Sequence, residues 1–283
     1  EFEAQYDVIR KKNWNWSVGF NLSHNKNMLR KTYNGEDLND KVLGRPVYGI
    51  YTFKDEGIVQ KEEDIPMYLN ASGKQIPLYF QSINNPLRVG GRKIKDQNYD
   101  GVIDDKDLYY AGSTLPAVYG GLNSHLEWKG LSFDVLFSYT ISRKVMNMYK
   151  NSAFTFTKDF GVIMNYFHAG DFWTTSNRDA KYPSLEFADK DYVGQFDGNV
   201  DSNIENISFL RLKQLVIGYQ IPKNWLKGSF IKDANVYLSG ENLFLLTNYS
   251  GVDPEIINPY SGKDDGTQYP LNRKVTLGLN LKF

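Results

Sequence analysis

Three observations predict an all-β fold of antiparallel strands arranged as a transmembrane barrel. The chain of 283 residues ends on a strand in which Val275, Leu277, Leu279, Leu281 and Phe283 alternate with Thr276, Gly278, Asn280 and Lys282. That period of two gives a strand one apolar and one polar face. Aromatic residues make up 15% of the chain, with 20 Tyr and 17 Phe, a content that favours strands and membrane-interface belts. Short polar turns also alternate with very long irregular loops, the asymmetry of an outer-membrane barrel. A large soluble β-sandwich shows the same strand alternation and is the competing architecture on pattern alone.

The elements follow in order. Residues 1–9 alternate from the start, as Glu1-Phe2-Glu3-Ala4-Gln5-Tyr6-Asp7-Val8. Arg10-Lys11-Lys12-Asn13 is a polar turn, and 14–24 the return strand, with Trp14, Trp16, Val18, Phe20 and Leu22 on one face. From about 25 to 116 the chain is irregular and rich in Gly, Asn, Asp and Pro, which are loop residues. Val47–Phe53 and Gln75–Gln81 are expected there as strand extensions above the membrane. Residues 117–128 and 131–142 predict a hairpin around Lys129-Gly130. Val118, Leu122, Leu126 and Trp128 share a face on its first arm, and Phe133, Val135, Phe137, Tyr139 and Ile141 on its second, with Leu136 the exception. Residues 143–204 are again irregular, with some helix expected within Met146–Met164. Strands follow at 205–221, 234–246 and 271–283, separated by a turn from Pro222 to Asp233 and a loop at 247–270. Within 205–221, Leu210 and Leu212 are out of phase with Leu215, Ile217 and Tyr219.

Seven strands therefore alternate in direction, with short turns at one end and loops 25–116 and 143–204 at the other, expected outside the cell. Loops of that length are foreign to a compact soluble domain. Seven is fewer than the roughly eight strands of the smallest such barrel, so the remaining strands are expected from polypeptide preceding Glu1. The missing initiator Met and export signal lead to the same expectation.

Composition narrows the function classes. No stretch reaches the roughly 18 apolar residues of a membrane-spanning helix. Lys and Arg number 33, as do Asp and Glu, so no nucleic-acid footprint is visible. Cysteine is absent, which excludes disulfides and thiolate chemistry. His24, His125 and His168 make no ligand pair at useful spacing, and no Ser/His/Asp arrangement is apparent. Asp104-Asp105 and Asp264-Asp265 sit in turn-like contexts that do not support glycosidase chemistry. The expectation is that the protein is not an enzyme.

Asp96 to Asp107 fits the twelve-residue calcium loop. Asp96, Asn98 and Asp100 fall at positions 1, 3 and 5, Gly101 at 6, Val102 at 7 with its carbonyl, and Asp107 at 12, the pattern that turns hard oxygen ligands onto one cation. Asp104 adds a further carboxylate. A structural Ca²⁺ is the expected cofactor, and a plain Asp/Asn/Gly turn is the alternative. The loop aromatics Tyr166, Phe167, Phe172, Trp173, Tyr249 and Tyr260 are candidates for substrate contact, since aromatic rings stack on sugar faces and anchor interfaces. Packing between loops is the alternative for each.

Larger motifs stand together. They are Ser208-Phe209-Leu210-Arg211-Leu212-Lys213-Gln214-Leu215-Val216-Ile217-Gly218-Tyr219-Gln220-Ile221-Pro222, then Gly240-Glu241-Asn242-Leu243-Phe244, then Tyr249-Ser250-Gly251-Val252-Asp253-Pro254-Glu255. Asp96 to Asp104 with Asp107, Gly112 and Pro116 precedes them, as do Trp173, Asn177, Tyr182 and Pro183. In order and spacing these resemble the SusC/RagA type of TonB-dependent transporter. The resemblance implies the C-terminal portion of a roughly 22-stranded barrel with long extracellular loops, in the outer membrane of a Bacteroidetes-type Gram-negative bacterium. It implies as partners the remainder of the barrel and its plug, TonB through an N-terminal segment, membrane lipid, and a SusD-like surface lipoprotein closing as a lid. The implied cargo is an oligosaccharide or peptide fragment. A secreted β-rich glycan-binding or adhesive module with a calcium loop is the alternative function.

Overall fold

The structure, a computed structural model, describes residues 1–37, 41–148, 168–188, 194 and 199–283. Among these, seven long strands form one antiparallel meander, each paired with the next in sequence. They are Phe2–Lys11, Trp14–Ser23, Val118–Trp128, Leu131–Asn147, Ile204–Gln220, Asp233–Thr247 and Lys274–Lys282. A two-residue piece, Lys263–Asp264, adds in parallel to the end of the fourth strand. The short turns lie at one end and the three long connections at the other. Among the described residues no helix is long and apolar enough to cross a membrane.

One face runs through the whole sheet. Val236 pairs with Leu279 and Leu238 with Leu277, Leu131 with Tyr219 and Phe133 with Ile217, Trp16 with Leu126 and Phe20 with Leu122. Paired residues in an antiparallel ladder share a side. This apolar side is open: Leu277 is 74% exposed, Leu279 58% and Leu238 45%. Among the described residues no second sheet covers it, as a sandwich requires. It is the surface of a sheet whose solvent is hydrocarbon.

The phase conflict in the fifth strand resolves as a bulge. Its pairing with the fourth slips between Leu136↔Gln214 and Phe137↔Leu212, leaving Lys213 as the extra residue. Leu210 and Leu212 then share a side with Leu215, Ile217 and Tyr219, because their partners Tyr139, Phe137, Val135, Phe133 and Leu131 have one parity. An extra residue in one strand of a pair does this by construction. Leu136 stays on the opposite face.

Where the walls leave the membrane, burial reverses. Ser142 takes a positive φ of 55° at a second slip, between Thr140 and Arg143. Below it Ile141 is exposed, whereas above it Val145 and Met146 are fully buried. The largest apolar cluster among the described residues lies in the loops: Val59, Leu78, Phe80, Leu87, Ile94 and Ile103 from the first connection meet Val200 from the second. Burying each such side chain contributes roughly 1.5–3 kcal/mol.

One expectation is corrected. Val47–Phe53 and Gln75–Gln81 do not extend the wall strands. Gly49–Thr52 pairs with Tyr109–Ser113, Gln75–Pro77 with Met67–Leu69, and Tyr79–Phe80 with Val102–Ile103, so the first connection builds its own small sheets. Of Met146–Met164, where some helix is expected, Met146 and Asn147 end a strand, and 149–164 lie outside the described residues.

The exposed stripe of the last strand carries a test. Leu279→Arg places a charge on the lipid face and should cost about 2–4 kcal/mol near the midplane. The expected result is loss of folded, heat-resistant protein from the membrane fraction. Normal levels of this variant would argue against lipid contact at Leu279.

Candidate functional site

The three long connections form a crown at one end of the sheet, and hydrogen bonds between them set its geometry. Phe53 N donates to Asn199 O (2.7 Å) and Asp201 N to Phe53 O (3.0 Å). The Asp201 carboxylate accepts from Lys54 Nζ at 2.6 Å, Asp55 N at 2.9 Å and the Tyr109 hydroxyl at 2.7 Å. Burial alone would raise this carboxyl, but the bonds from Lys54, Asp55 N–H and Tyr109 hold it below its ordinary value. Burial, and then Asp201, push the Tyr109 phenol up to about 12. Beside them the guanidinium of Arg92 pairs with Asp55, both side chains buried.

The third connection is fastened by two buried arginines of the wall. Arg211 Nη2 donates to Asp253 Oδ1 at 2.5 Å, and its Nε lies 2.7 Å from Glu255 Oε2, an ion pair by distance without hydrogen-bond alignment. Lys213, at the bulge, also pairs with Glu255. The second Asp253 oxygen accepts from Leu271 N at 3.2 Å. Arg143 donates instead to four backbone carbonyls, those of Thr114, Pro254, Ile257 and Asn258, at 2.9–3.4 Å.

In the Asp96–Asp107 loop the acids bind the loop's own backbone. Asp96 accepts from Tyr99 N (2.7 Å) and Gly101 N (2.9 Å). Asp107, fully buried, accepts from Gln97 N (2.7 Å) and Asp104 N (2.9 Å). Burial pushes the Asp107 carboxyl above its ordinary value against these bonds. Asn98 accepts from Asp100 N, Asp100 from Val102 N and Asp104 from Lys106 N. The Lys106 ammonium lies 3.8 Å from Asp100 and 3.6 Å from Asp104. Among the described residues no three acidic or histidine side chains converge as metal ligands. The geometry is that of a self-supporting turn. Gly101, at φ +84°, is required because a Cβ there would meet Tyr68 Cγ at 2.9 Å.

The candidate aromatics divide. Phe172 and Trp173 are buried. Trp173 Nε1 donates to Gln60 at 3.0 Å, and its ring closes on Gly90, where a Cβ would lie 2.6 Å from it. Phe172 packs against Tyr182, ring centroids 5.8 Å apart. Tyr249 is buried with Val145, Ile207 and Ile257 and donates to Asp264 at 2.5 Å; burial first, then Asp264, raise its phenol pKa. Tyr260 is 64% exposed and meets Tyr48 at 5.2 Å. Those two and Tyr51 line a cavity of about 740 Å³ with Lys41, Lys263 and Asp105. A second cavity, of about 370 Å³, lies between Asp55, Arg92 and Ser202 on one side and Arg178, Lys181 and Tyr182 on the other. Tyr166 and Phe167 lie outside the described residues. Sequence reasoning missed Tyr48, which carries no periodic signal. His125 Nδ1 lies 2.5 Å from Asp134 and its Nε2 3.5 Å from Glu127; the strand register sets Asp134 opposite it, and Glu127 follows two residues along the same strand.

No family model matches the chain. Curated relatives do, over its whole length. TonB-dependent receptor P26 of Formosa agariphila is 30% identical across 100% of this chain and 28% of its own length. TonB-dependent receptor SusC of Bacteroides thetaiotaomicron is 26% identical across 100% of this chain and 26% of its own. The solved RagAB peptide transporter superposes with a TM-score of 0.70 at 23% identity, over 99% of this chain and 28% of that one. Over its whole length the chain is similar to SusC/RagA-type TonB-dependent transporters. It spans little more than a quarter of the length of these relatives.

In the SusC/RagA-type frame the motif residues turn out to be each other's partners. Arg211 of the Ser208–Pro222 strand meets Asp253 and Glu255 of the Tyr249–Glu255 segment. Asn177 donates to the carbonyls of Gly170 at 2.7 Å and Phe172 at 3.1 Å, which positions Trp173 against the first connection. These motifs hold the crown to the wall.

Two measurements test this site. Asp253→Asn leaves the buried Arg211 charge with Glu255 alone, which Lys213 shares, and should lower stability by less than the roughly 3–5 kcal/mol of a fully orphaned buried charge, read as loss of the folded crown to limited proteolysis while the strands stay heat-resistant. Calcium or its chelation should leave thermal unfolding unchanged. A calcium-dependent rise in Tm abolished by Asp100→Ala would instead support the metal reading of the Asp96–Asp107 loop.

Proposed function

We propose that the chain is the C-terminal part of an outer-membrane importer, contributing seven wall strands and the extracellular crown above them. The observation that carries this is the continuous exposed apolar face beneath loops with a buried core of their own. Among the described residues the first and last strands each keep an unpaired edge, which hydrocarbon does not tolerate. Further strands, with a plug in the lumen and a segment that contacts TonB, are therefore proposed to lie outside residues 1–283. The membrane is the outer membrane of a Bacteroidetes-type cell, in keeping with relatives from Formosa and Bacteroides.

The crown is proposed to meet a SusD-like lipoprotein lid and to contact cargo, an oligosaccharide or peptide fragment. One structural neighbour is a peptide transporter by name. Of the aromatic candidates among the described residues, Tyr260 is the exposed one, and with Tyr48 beside it on the same cavity it is proposed to touch the ligand. The role is transport without chemical conversion.

Topology is tested by epitope tags in the whole transporter. A tag between Asn34 and Gly35 should label on intact cells, and one between Lys129 and Gly130 only after permeabilisation; the reverse would invert the barrel. Tyr48→Ala with Tyr260→Ala should slow uptake of the native cargo about 2- to 10-fold, since an aromatic contact contributes roughly 0.5–1.5 kcal/mol. Unchanged uptake at unchanged surface level would remove these tyrosines from the cargo path.

A further inference from the structure

The short-turn end of the sheet is basic. The three turns, residues 10–13, 129–130 and 221–233, hold seven Lys or Arg against one acid, Asp233, in a chain of zero net charge. They form one continuous rim. Lys129 N donates to Asn13 O at 3.1 Å and Gln220 N to Gly130 O at 2.7 Å, and Lys232 N reaches Lys282 O at 2.7 Å. All seven cations are exposed. Arg10 has Asp7 at 3.6 Å, and Asp233 is engaged by the side chain of Gln220.

An aromatic girdle lies directly behind these charges, on the apolar face. Trp14 pairs with Trp128 across the second and third strands, and Lys11 pairs with Trp14. Lys129 Nζ stands 5.4 Å from the centre of the Trp128 ring. In the third turn Trp225 is 73% and Phe230 77% exposed, and Phe230 stacks on Phe283 at 5.5 Å. From the sheet outward the order is aliphatic, aromatic, cationic. Tryptophan sits at headgroup depth, and lysines just beyond it reach the phosphates.

We propose that this rim binds anionic phospholipid headgroups of the adjoining leaflet, selecting phosphatidylglycerol-type lipids over zwitterionic ones. The chemistry is phosphate held by Lys11, Lys129 and the lysines of the third turn, with the acyl chains along the apolar face beneath. Charge complementarity chooses a phosphate, and continuity with the girdle chooses a lipid over a free anion. The inference rests on the membrane-barrel reading.

The whole transporter is purified in detergent, mixed with equal phosphatidylglycerol and phosphatidylcholine, and the retained lipid measured by native mass spectrometry. The wild type should retain phosphatidylglycerol preferentially, and less so as ionic strength rises. Lys223→Gln/Lys227→Gln/Lys232→Gln, and separately Lys129→Gln, should lower the preference by up to about fivefold for each charge removed, with heat-resistant migration intact. Equal retention of both lipids by the wild type overturns the proposal, as does a preference unchanged in both variants. Displacement of the lipid by inorganic phosphate, or a co-purifying acidic protein in its place, overturns it too. Should the barrel reading fail instead, the wild type would stay soluble without detergent and retain neither lipid.

Discussion

A strand crossing hydrocarbon must pair all of its backbone N–H and C=O groups with neighbouring strands, because no water is present to satisfy them. The rest of this molecule depends on that constraint. The ladder is regular through all eleven pairs of the third and fourth strands, and irregularities are confined to single slips. Once the backbone is committed to the ladder, side chains have only two directions. The outward one faces lipid and carries Val, Leu, Phe and Trp; the other carries Asn, Ser, Asp and Glu. The polar Asn123, Asn21 and His125 thus sit beside strongly apolar neighbours without conflict.

Hydrophobic burial has moved elsewhere. In a soluble sandwich the apolar faces would meet between sheets, but here the buried cluster of Val59, Leu78, Phe80, Leu87, Ile94 and Val200 belongs to the connections. Among the described residues the wall contributes its upper ends, Val145 and Ile207, to a smaller cluster with Tyr249 and Ile257. The slip at Ser142 marks the change of solvent. A bulge bends and ends a regular ladder, and above it the same strand turns from lipid-facing to packed.

What was legible in the sequence follows from this division. Period two is a local property, so the seven strands were readable to within a few residues, and Phe283 announced the last of them. The bulge at Lys213 was visible only as a broken phase, since its meaning lies in the partner residues Leu136 and Phe137. The crown was legible as motif and opaque as geometry. Arg211 and Asp253 lie 42 positions apart, and Trp173 closes on Gly90 from a different connection, so no local pattern joins them. The Asp96–Asp107 spacing suggested a cation because alternate acids suit one. Backbone amides at Gln97, Tyr99, Gly101 and Asp104 are competing donors for the same oxygens, and sequence spacing does not distinguish the two partners.

The fastening of the crown bears on how it would work. A buried ion pair adds little net stability compared with apolar packing, while removing one partner is costly. Such a pair therefore serves best to specify one arrangement among several of similar energy. Arg211 with Asp253, and Arg143 with the carbonyls of Pro254, Ile257 and Asn258, tie the third connection to the wall, while Asp201 with Lys54, Asp55 and Tyr109 ties the second connection to the first. Together they hold the two cavities between loops whose relative positions are set before any ligand arrives. A preformed site spares the ordering cost that flexible loops would incur on binding. On the proposed reading the crown presents Tyr48 and Tyr260 at a fixed separation. Motion during import then falls to parts less tightly fastened than these, the lid and the plug.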